Sequence, residues 1–335
     1  MHLQAFSAAK DPGRPEANED RFVVVPDRLY AVIDGVTDRT GRRYGDRTGG
    51  RLAAETVERA LLALTLDEQF RSIDAAGLVQ RLDRAFRSAY ARYGVLDAAA
   101  ASDADRIGST LALALDRGDR FAFFLIGDSG VRLNGTETVT HDKDLDTITA
   151  TLRGFAYRRV AAAGADPTQT ELASRALCWR GTRTMPDEAK SWLKETDLEA
   201  IRVSALTKLG LDLPGIPIED MTRLALDGIV GAQGAYQNRD DHLLGYACLD
   251  GYGPKATAVE TFERPKAGIG TIELYTDGYF ALPEQATIAS WEAKADEVER
   301  IDFAKVDEYA STKGSLGKVR ADDRTVVIVS TGEAT

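Results

Sequence analysis

Four short apolar runs arranged as two closely spaced pairs constrain the fold of this chain more than any other feature. Arg21-Phe-Val-Val-Val25 and Leu29-Tyr-Ala-Val-Ile33 are separated only by Pro26-Asp27-Arg28, and Ser109-Thr-Leu-Ala-Leu-Ala-Leu115 is separated from Arg120-Phe-Ala-Phe-Phe-Leu-Ile126 only by Asp116-Arg117-Gly118-Asp119. Such links hold the residues that tight turns use, so each pair predicts an antiparallel hairpin. Further strands are expected at Leu244–Leu249, Ala256–Phe262, Gly270–Thr276 and Arg324–Ser330.

Between the hairpins the apolar period changes. Leu52, Thr56, Val57, Ala60, Leu61 and Leu64 share one face of a helix, and Leu78, Leu82, Phe86, Ala89, Tyr90 and Tyr93 share a face of a second. Each such face would cover one side of a sheet. The stretch from Trp291 to Tyr309 is rich in Ala, Glu and Lys. Hairpins alternating with helix pairs predict an α+β fold of antiparallel sheets with helices outside, rather than repeated βαβ units. From about 136 to 238 the texture shifts to Ala, Leu, Glu and Arg without alternation, which reads as a mostly helical insertion into a single domain spanning 1–335.

The 335 residues, 44% of them hydrophobic, suffice for a substantial core. A formal charge of −11 disfavours nucleic acid as a partner, since phosphate-backbone binding needs concentrated Lys and Arg. The start, Met1-His2-Leu3-Gln4-Ala5-Phe6, lacks the basic and apolar segments of a signal peptide, and no stretch approaches the ~18 apolar residues of a membrane helix. A cytoplasmic protein with no membrane contact is expected. Cys178 and Cys248 are too few for a disulfide framework and read as inert reduced thiols.

The carboxylates fall at strand ends. Glu19-Asp20 precedes one strand, Asp34, Asp128 and Asp277 each follow one, and Asp322-Asp323 precedes the last. Taken singly, an Asp beside Gly at the end of an apolar strand is usually a turn residue. Strands ending side by side would instead crowd several carboxylates together, and like charges that close either raise their pKa values or bind a cation. Oxygen donors without Cys or His select hard ions, Mg²⁺, Mn²⁺ or Ca²⁺. His2, His141 and His242 are too scattered for a zinc site.

In order, Asn18-Glu19-Asp20, Val32-Ile33-Asp34-Gly35, Gly108-Ser109-Thr110, Ile126-Gly127-Asp128-Ser129-Gly130, Tyr275-Thr276-Asp277-Gly278 and Asp322-Asp323-Arg324-Thr325 resemble the motif set of the type 2C metal-dependent serine/threonine protein phosphatases. The resemblance implies a four-layer α-β-β-α sandwich, two antiparallel sheets flanked by helix pairs, with two Mn²⁺ or Mg²⁺ ions in a cleft at one end. It implies that Asp34 bridges both ions, that Glu19 and the Gly35 carbonyl complete one shell, and that Asp277 and Asp322 hold the other ion. Asp20 would orient water from the outer shell, and Asp128 with Asp277 matches the place of a third, weaker ion in many members. A binuclear centre of this kind supplies hydroxide near neutral pH and neutralises phosphoryl oxygens during in-line attack on a phosphorylated protein. A protein nucleophile is then unnecessary, so Ser109, Thr110 and Ser129 read as structural hydroxyls that satisfy backbone groups.

The departures from the pattern are specific. Where the family often has an arginine before its Glu-Asp pair, this chain has Pro15, with Arg14 one place earlier as the candidate phosphate ligand; a solvated loop arginine is the alternative. Val36 stands where many eukaryotic members carry a histidine proposed as general acid. Thr37-Asp38 replaces the usual glycines, with Asp38 either an outer-shell ligand or a surface charge, and Asp323 replaces a common Asn, as added site charge or as a turn acceptor. The helical insertion lies where the family places a variable flap, which makes it a candidate substrate or partner surface. In Tyr236–Gly245, Arg239 or His242 could reach a phosphate or belong to a solvated loop. Three rival readings stand beside the protein phosphatase: a phosphatase of small phosphorylated metabolites, a phosphatase-fold binding or regulatory module with little turnover, and a structural protein whose aspartates only make turns.

Overall fold

A computed structural model describes residues 2–331. Two five-stranded antiparallel sheets form its centre. Strands are numbered in chain order. One sheet runs β10-β7-β6-β3-β2, with β2 at Arg21–Val25, β3 at Leu29–Ile33, β6 at Leu111–Asp116, β7 at Arg120–Ile126 and β10 at Glu260–Pro265. The other runs β1-β12-β11-β8-β9, with β1 at His2–Ala8, β8 at Gly130–Leu133, β9 at Glu137–Val139, β11 at Thr271–Tyr275 and β12 at Arg324–Ser330. A two-residue pair, β4 at Gly35–Val36 with β5 at Gly108–Ser109, sits beside them.

Both predicted hairpins form, β2 with β3 and β6 with β7. In the first turn Asp27 takes the left-handed conformation at φ 60°, and in the second Gly118 does so at φ 100°. The Asp116 carboxylate caps that second turn, accepting from the Gly118 N–H at 2.7 Å and from Lys266 Nζ at 2.6 Å.

Strand alternation sorts the core into layers. Tyr30, Val32, Ala112, Ala114, Phe121, Phe123 and Leu125 face the other sheet and pack on Val131, Leu133, Ile272, Leu274, Val327 and Val329. Their chain neighbours Ala31, Ile33, Leu111, Leu113, Leu115, Phe124 and Ile126 face outward, against helices α1 (Gly49–Leu64) and α2 (Ala75–Arg92). Every helix-face residue named from the sequence is buried except Tyr93, which packs from the edge of the cluster. Asp74 caps α2 and Thr48 caps α1. A short α3 follows at Leu96–Ala101. On the outer side of the second sheet, Trp291 and Ala295 of the helix Ile288–Ile301 pack on Tyr275, Val326 and Ile328.

The chain divides into two compact units. The sheets, α1 to α3 and residues Tyr246–Asp296 make the first; Asp142–Gly245 with Glu297–Ala321 makes the second. The second unit holds α4 (Asp144–Ala162), α5 (Pro167–Arg180), α6 (Asp187–Lys190), α7 (Glu195–Asp212) and α8 (Ile218–Ala232). At its centre the buried Arg153 pairs with Glu171 and donates to the carbonyls of Lys305 and Ser311, which fastens the segment after residue 297 onto the helices. The helix Ile288–Ile301 is α9, and the division between the two units falls after its Asp296.

Two expected strands differ. Leu244–Leu249 is not a strand: the chain turns so tightly that a side chain at Gly245 would meet the Arg239 carbonyl, and the segment makes single-residue bridges at Tyr246 and Leu249, the latter to Ser109. Ala256–Ala258 is a 3₁₀ turn, with the strand beginning at Glu260. Among the described residues no helix is long and apolar enough to cross a membrane.

Candidate metal centre

Asp34 sits between β3 and β4, Asp128 in the turn from β7 to β8, and Asp277 immediately after β11. Each lies where a hydrophobic strand stops, so the fold brings their carboxylates to one edge. One oxygen from each of the three lies within 4.8 Å of the others. Asp34 and Asp128 are half-buried and Asp277 is exposed. The Asp34 backbone is fixed by its carbonyl, which accepts the Thr110 N–H at 2.9 Å.

Close backbone packing sets this geometry. A Cβ on Gly35 would stand 2.3 Å from the Gly50 carbonyl oxygen and 2.7 Å from that of Glu19, so only glycine lets the start of α1 lie against the strand end. A Cβ on Gly278 would lie 1.8 Å from the Asp323 carbonyl, which joins the Asp277 turn to the entrance of β12.

Glu19 is buried at the same edge. Its Oε1 accepts from the Thr48 hydroxyl at 2.5 Å, and its Oε2 from Thr37 and from Lys10 Nζ, both at 3.4 Å. Lys10 also meets Asp322 Oδ1 at 3.4 Å and Asp323 Oδ2 at 3.3 Å. Burial by itself would lower the lysine pKa, but the charges of Asp322, Glu19 and Asp323 outweigh it and hold the ammonium well above its ordinary range. Asp323 is a backbone clamp, accepting the N–H of Lys10 at 2.6 Å and that of Glu19 at 3.1 Å.

Asp20 lies deeper, 2% exposed, with Oδ2 accepting the Thr276 hydroxyl at 2.8 Å and Oδ1 buried without a hydrogen bond. Burial, then the charge of Asp323, pushes its pKa up to about 8 against the hydroxyl donors that favour the anion. The hydroxyls expected to satisfy backbone groups do otherwise: Thr110 and Ser129 bond to each other at 2.7 Å, and the buried Ser109 hydroxyl makes no hydrogen bond.

The remaining candidates make hydrogen bonds and ion pairs of their own. Arg14 is exposed and donates to Asp11 at 2.6 Å. Asp38 accepts from the Thr40 N–H at 2.6 Å. In the second unit, Arg239 pairs with Asp241, while the His242 ring lies against Tyr236 and its Nδ1 accepts the Leu244 N–H. Cys178 and Cys248 are buried thiols outside any disulfide among the described residues, the former pushed up to about 12 by burial. Lys10 carried no signal in the sequence, because its place depends on pairing of β1 with β12.

Residues 14–148 match the family model for protein phosphatase 2C. The motifs at Asp277 and Asp322 lie beyond the matched segment. Among solved structures, the serine/threonine phosphatase PstP/Ppp of Mycobacterium tuberculosis is 18% identical, with 98% of this chain and 97% of that chain covered and a TM-score of 0.43. Stp1 of Staphylococcus aureus is 12% identical, with 98% and 94% covered and a TM-score of 0.46. The PstP catalytic domain in complex with two manganese ions is 17% identical, with 98% and 96% covered and a TM-score of 0.43. No curated protein matches this chain.

The donor set suits a hard divalent ion. Asp34, Asp128 and Asp277 offer oxygen alone, and the buried Asp20 Oδ1 has no hydrogen-bond partner among the described residues.

Proposed function

We propose that this chain is a cytoplasmic Mn²⁺- or Mg²⁺-dependent phosphomonoesterase acting on phosphoserine or phosphothreonine in proteins. The observation that carries the reading is the meeting of Asp34, Asp128 and Asp277, from three separate strand ends, within 4.8 Å. In this reading Asp34, Asp128 and Asp277 hold the metal, and Glu19, the Gly35 carbonyl and Asp322 are the remaining ligand positions. Bound there, the metal supplies Lewis-acid stabilisation of phosphoryl oxygens and acidifies water.

The chain's own groups do the rest. Asp20 Oδ1 is an acceptor placed to orient a solvent donor, held in position by the Thr276 hydroxyl on Oδ2. Arg14 is the candidate phosphate ligand. Its pair with Asp11 is solvent-exposed and weak, so a charge-assisted bond to phosphate competes with it. The helical unit is the proposed surface for a protein substrate. The test compares phosphoserine and phosphothreonine peptides with phosphorylated metabolites in Mn²⁺; turnover confined to the metabolites contradicts the protein-phosphatase reading.

A second reading is favoured by Val36 in place of a histidine and by the lysine held among acidic residues: a regulatory module that binds metal with little turnover. Metal uptake by calorimetry without hydrolysis of any phosphopeptide would select it.

A further inference from the structure

Three carboxylates at the acidic edge, Glu19, Asp322 and Asp323, converge on one ammonium group. Lys10 Nζ lies 3.4 Å from Glu19 Oε2, 3.4 Å from Asp322 Oδ1 and 3.3 Å from Asp323 Oδ2. A divalent ion draws carboxylate oxygens far closer, to about 2.0–2.1 Å for Mg²⁺ and 2.3–2.6 Å for Ca²⁺. The spacing is that of an ammonium ion, and a divalent ion entering between the same oxygens would meet a like charge at short range.

The backbone puts the lysine there. β1 pairs with β12 to its last residue, Ala8 against Arg324, so the chain leaving β1 runs beside Asp322 and Asp323. The Lys10 N–H then donates to Asp323 Oδ1 at 2.6 Å, the Glu19 N–H donates to Asp323 Oδ2 at 3.1 Å, and the Asp323 N–H donates to Asp322 Oδ1 at 3.0 Å. Asp323 thus ties the lysine's main chain to that of Glu19, so that side chain and main chain of Lys10 meet the same carboxylate. Separately, Asp34, Asp128 and Asp277 each offer a carboxylate oxygen within 4.8 Å of the others.

We propose that the Lys10 ammonium takes the place of one of the two divalent ions, so that this chain binds a single metal ion tightly at Asp34, Asp128 and Asp277 and holds Glu19, Asp322 and Asp323 with its own lysine. The inference rests on the metal-dependent reading above and changes its stoichiometry. Glu19 and Asp322 become positioning residues that act through Lys10.

Equilibrium dialysis against Mn²⁺, with bound metal counted by elemental analysis, tests this without reference to turnover. The expected counts are one ion for the wild type, two for Lys10→Ala and one for Lys10→Arg, which keeps the positive charge. Asp322→Ala is the second variant, needed if Lys10→Ala does not fold by near-ultraviolet circular dichroism; its count stays at one. A wild type that holds two ions overturns the proposal, as does a folded Lys10→Ala that still holds one. If the wild type binds none, like Asp34→Ala, the metal-dependent reading itself fails and takes this inference with it.

Discussion

Replacing Gly50 by alanine changes no candidate ligand, yet it should disturb the metal centre. Gly50 is the second residue of α1, and a Cβ on it would stand 2.5 Å from the Gly35 carbonyl oxygen, 2.8 Å from the Gly35 carbonyl carbon and 2.8 Å from the Val36 carbonyl oxygen. All three are backbone atoms, so no side chain can rotate away, and reaching ordinary contact requires the helix and the strand end to part by about 1 Å. Overpacking of this kind costs about 1–3 kcal/mol, while the gain in helix propensity from Gly to Ala is about 1 kcal/mol or less near a helix start. The clash wins, leaving a net loss of about 1–2 kcal/mol, or about 2–8 °C in melting temperature for a unit of this size. The displaced atoms are the Gly35 carbonyl and the turn holding Thr48 against Glu19, so Mn²⁺ affinity should fall about 10-fold or more, as it does when groups supporting a metal ligand are removed. Thermal unfolding with and without Mn²⁺, and Mn²⁺ titration of the variant, read both effects. Gly210→Ala is the control: it lies within α7, where an added Cβ meets nothing within 4 Å, and should raise stability by about 0.5–1 kcal/mol. A Gly50→Ala protein that melts no lower than the wild type and binds Mn²⁺ as tightly would refute the packing argument.

Further perturbations probe the scaffold. Arg132, buried in β8, makes two bonds to the Glu273 carboxylate, which also accepts the Trp291 indole N–H at 2.8 Å; Arg132→Met alone should cost about 3–5 kcal/mol in urea unfolding, and adding Glu273→Leu should recover part of that loss. Glu55 is held at about 2: burial would raise its pKa, but hydrogen bonds from Arg47 and Arg51 and the charges of Arg47 and Arg21 outweigh it. A carboxyl depressed in the folded state contributes its full stability above the ordinary value of 4.5 and loses it as pH falls toward 2, so acid titration of Glu55→Gln should be flatter than that of the wild type across this window by about 1–2 kcal/mol. An identical acid profile in the two proteins would contradict that assignment.

The parts of the fold legible in sequence are those where β-branched or aromatic runs are long and turn chemistry is local. β12 has the bounds read from Arg324–Ser330, and the two hairpins close on their Asp and Gly turns. Elements held by tertiary pairing were not legible. β1, His2–Ala8, is an edge strand with no fully buried residue, so its sequence carries no clean alternation, and β8 and β9 are only four and three residues long. The strand expected at Leu244–Leu249 failed because apolar content there serves burial in a bent segment, with Leu244, Cys248 and Leu249 all buried.

The same division holds at the site. Asp34, Asp128 and Asp277 could be named because each follows a strand that is itself readable. Lys10 could not, since nothing local marks a lysine whose partners include Asp322 and Asp323, reached only through the β1–β12 ladder. Asp323 shows the same division: read as added site charge or as a turn acceptor, it takes the main-chain N–H groups of Lys10 and Glu19, both distant in sequence, and the Lys10 ammonium.

The most direct measurement is hydrolysis of p-nitrophenyl phosphate in Mn²⁺ by the wild type and by Asp34→Ala and Asp277→Ala, before and after EDTA. The metal-dependent account predicts turnover that EDTA abolishes and added Mn²⁺ restores, with folded variants inactive under every condition. Turnover that persists in EDTA, or in either aspartate variant, would contradict it.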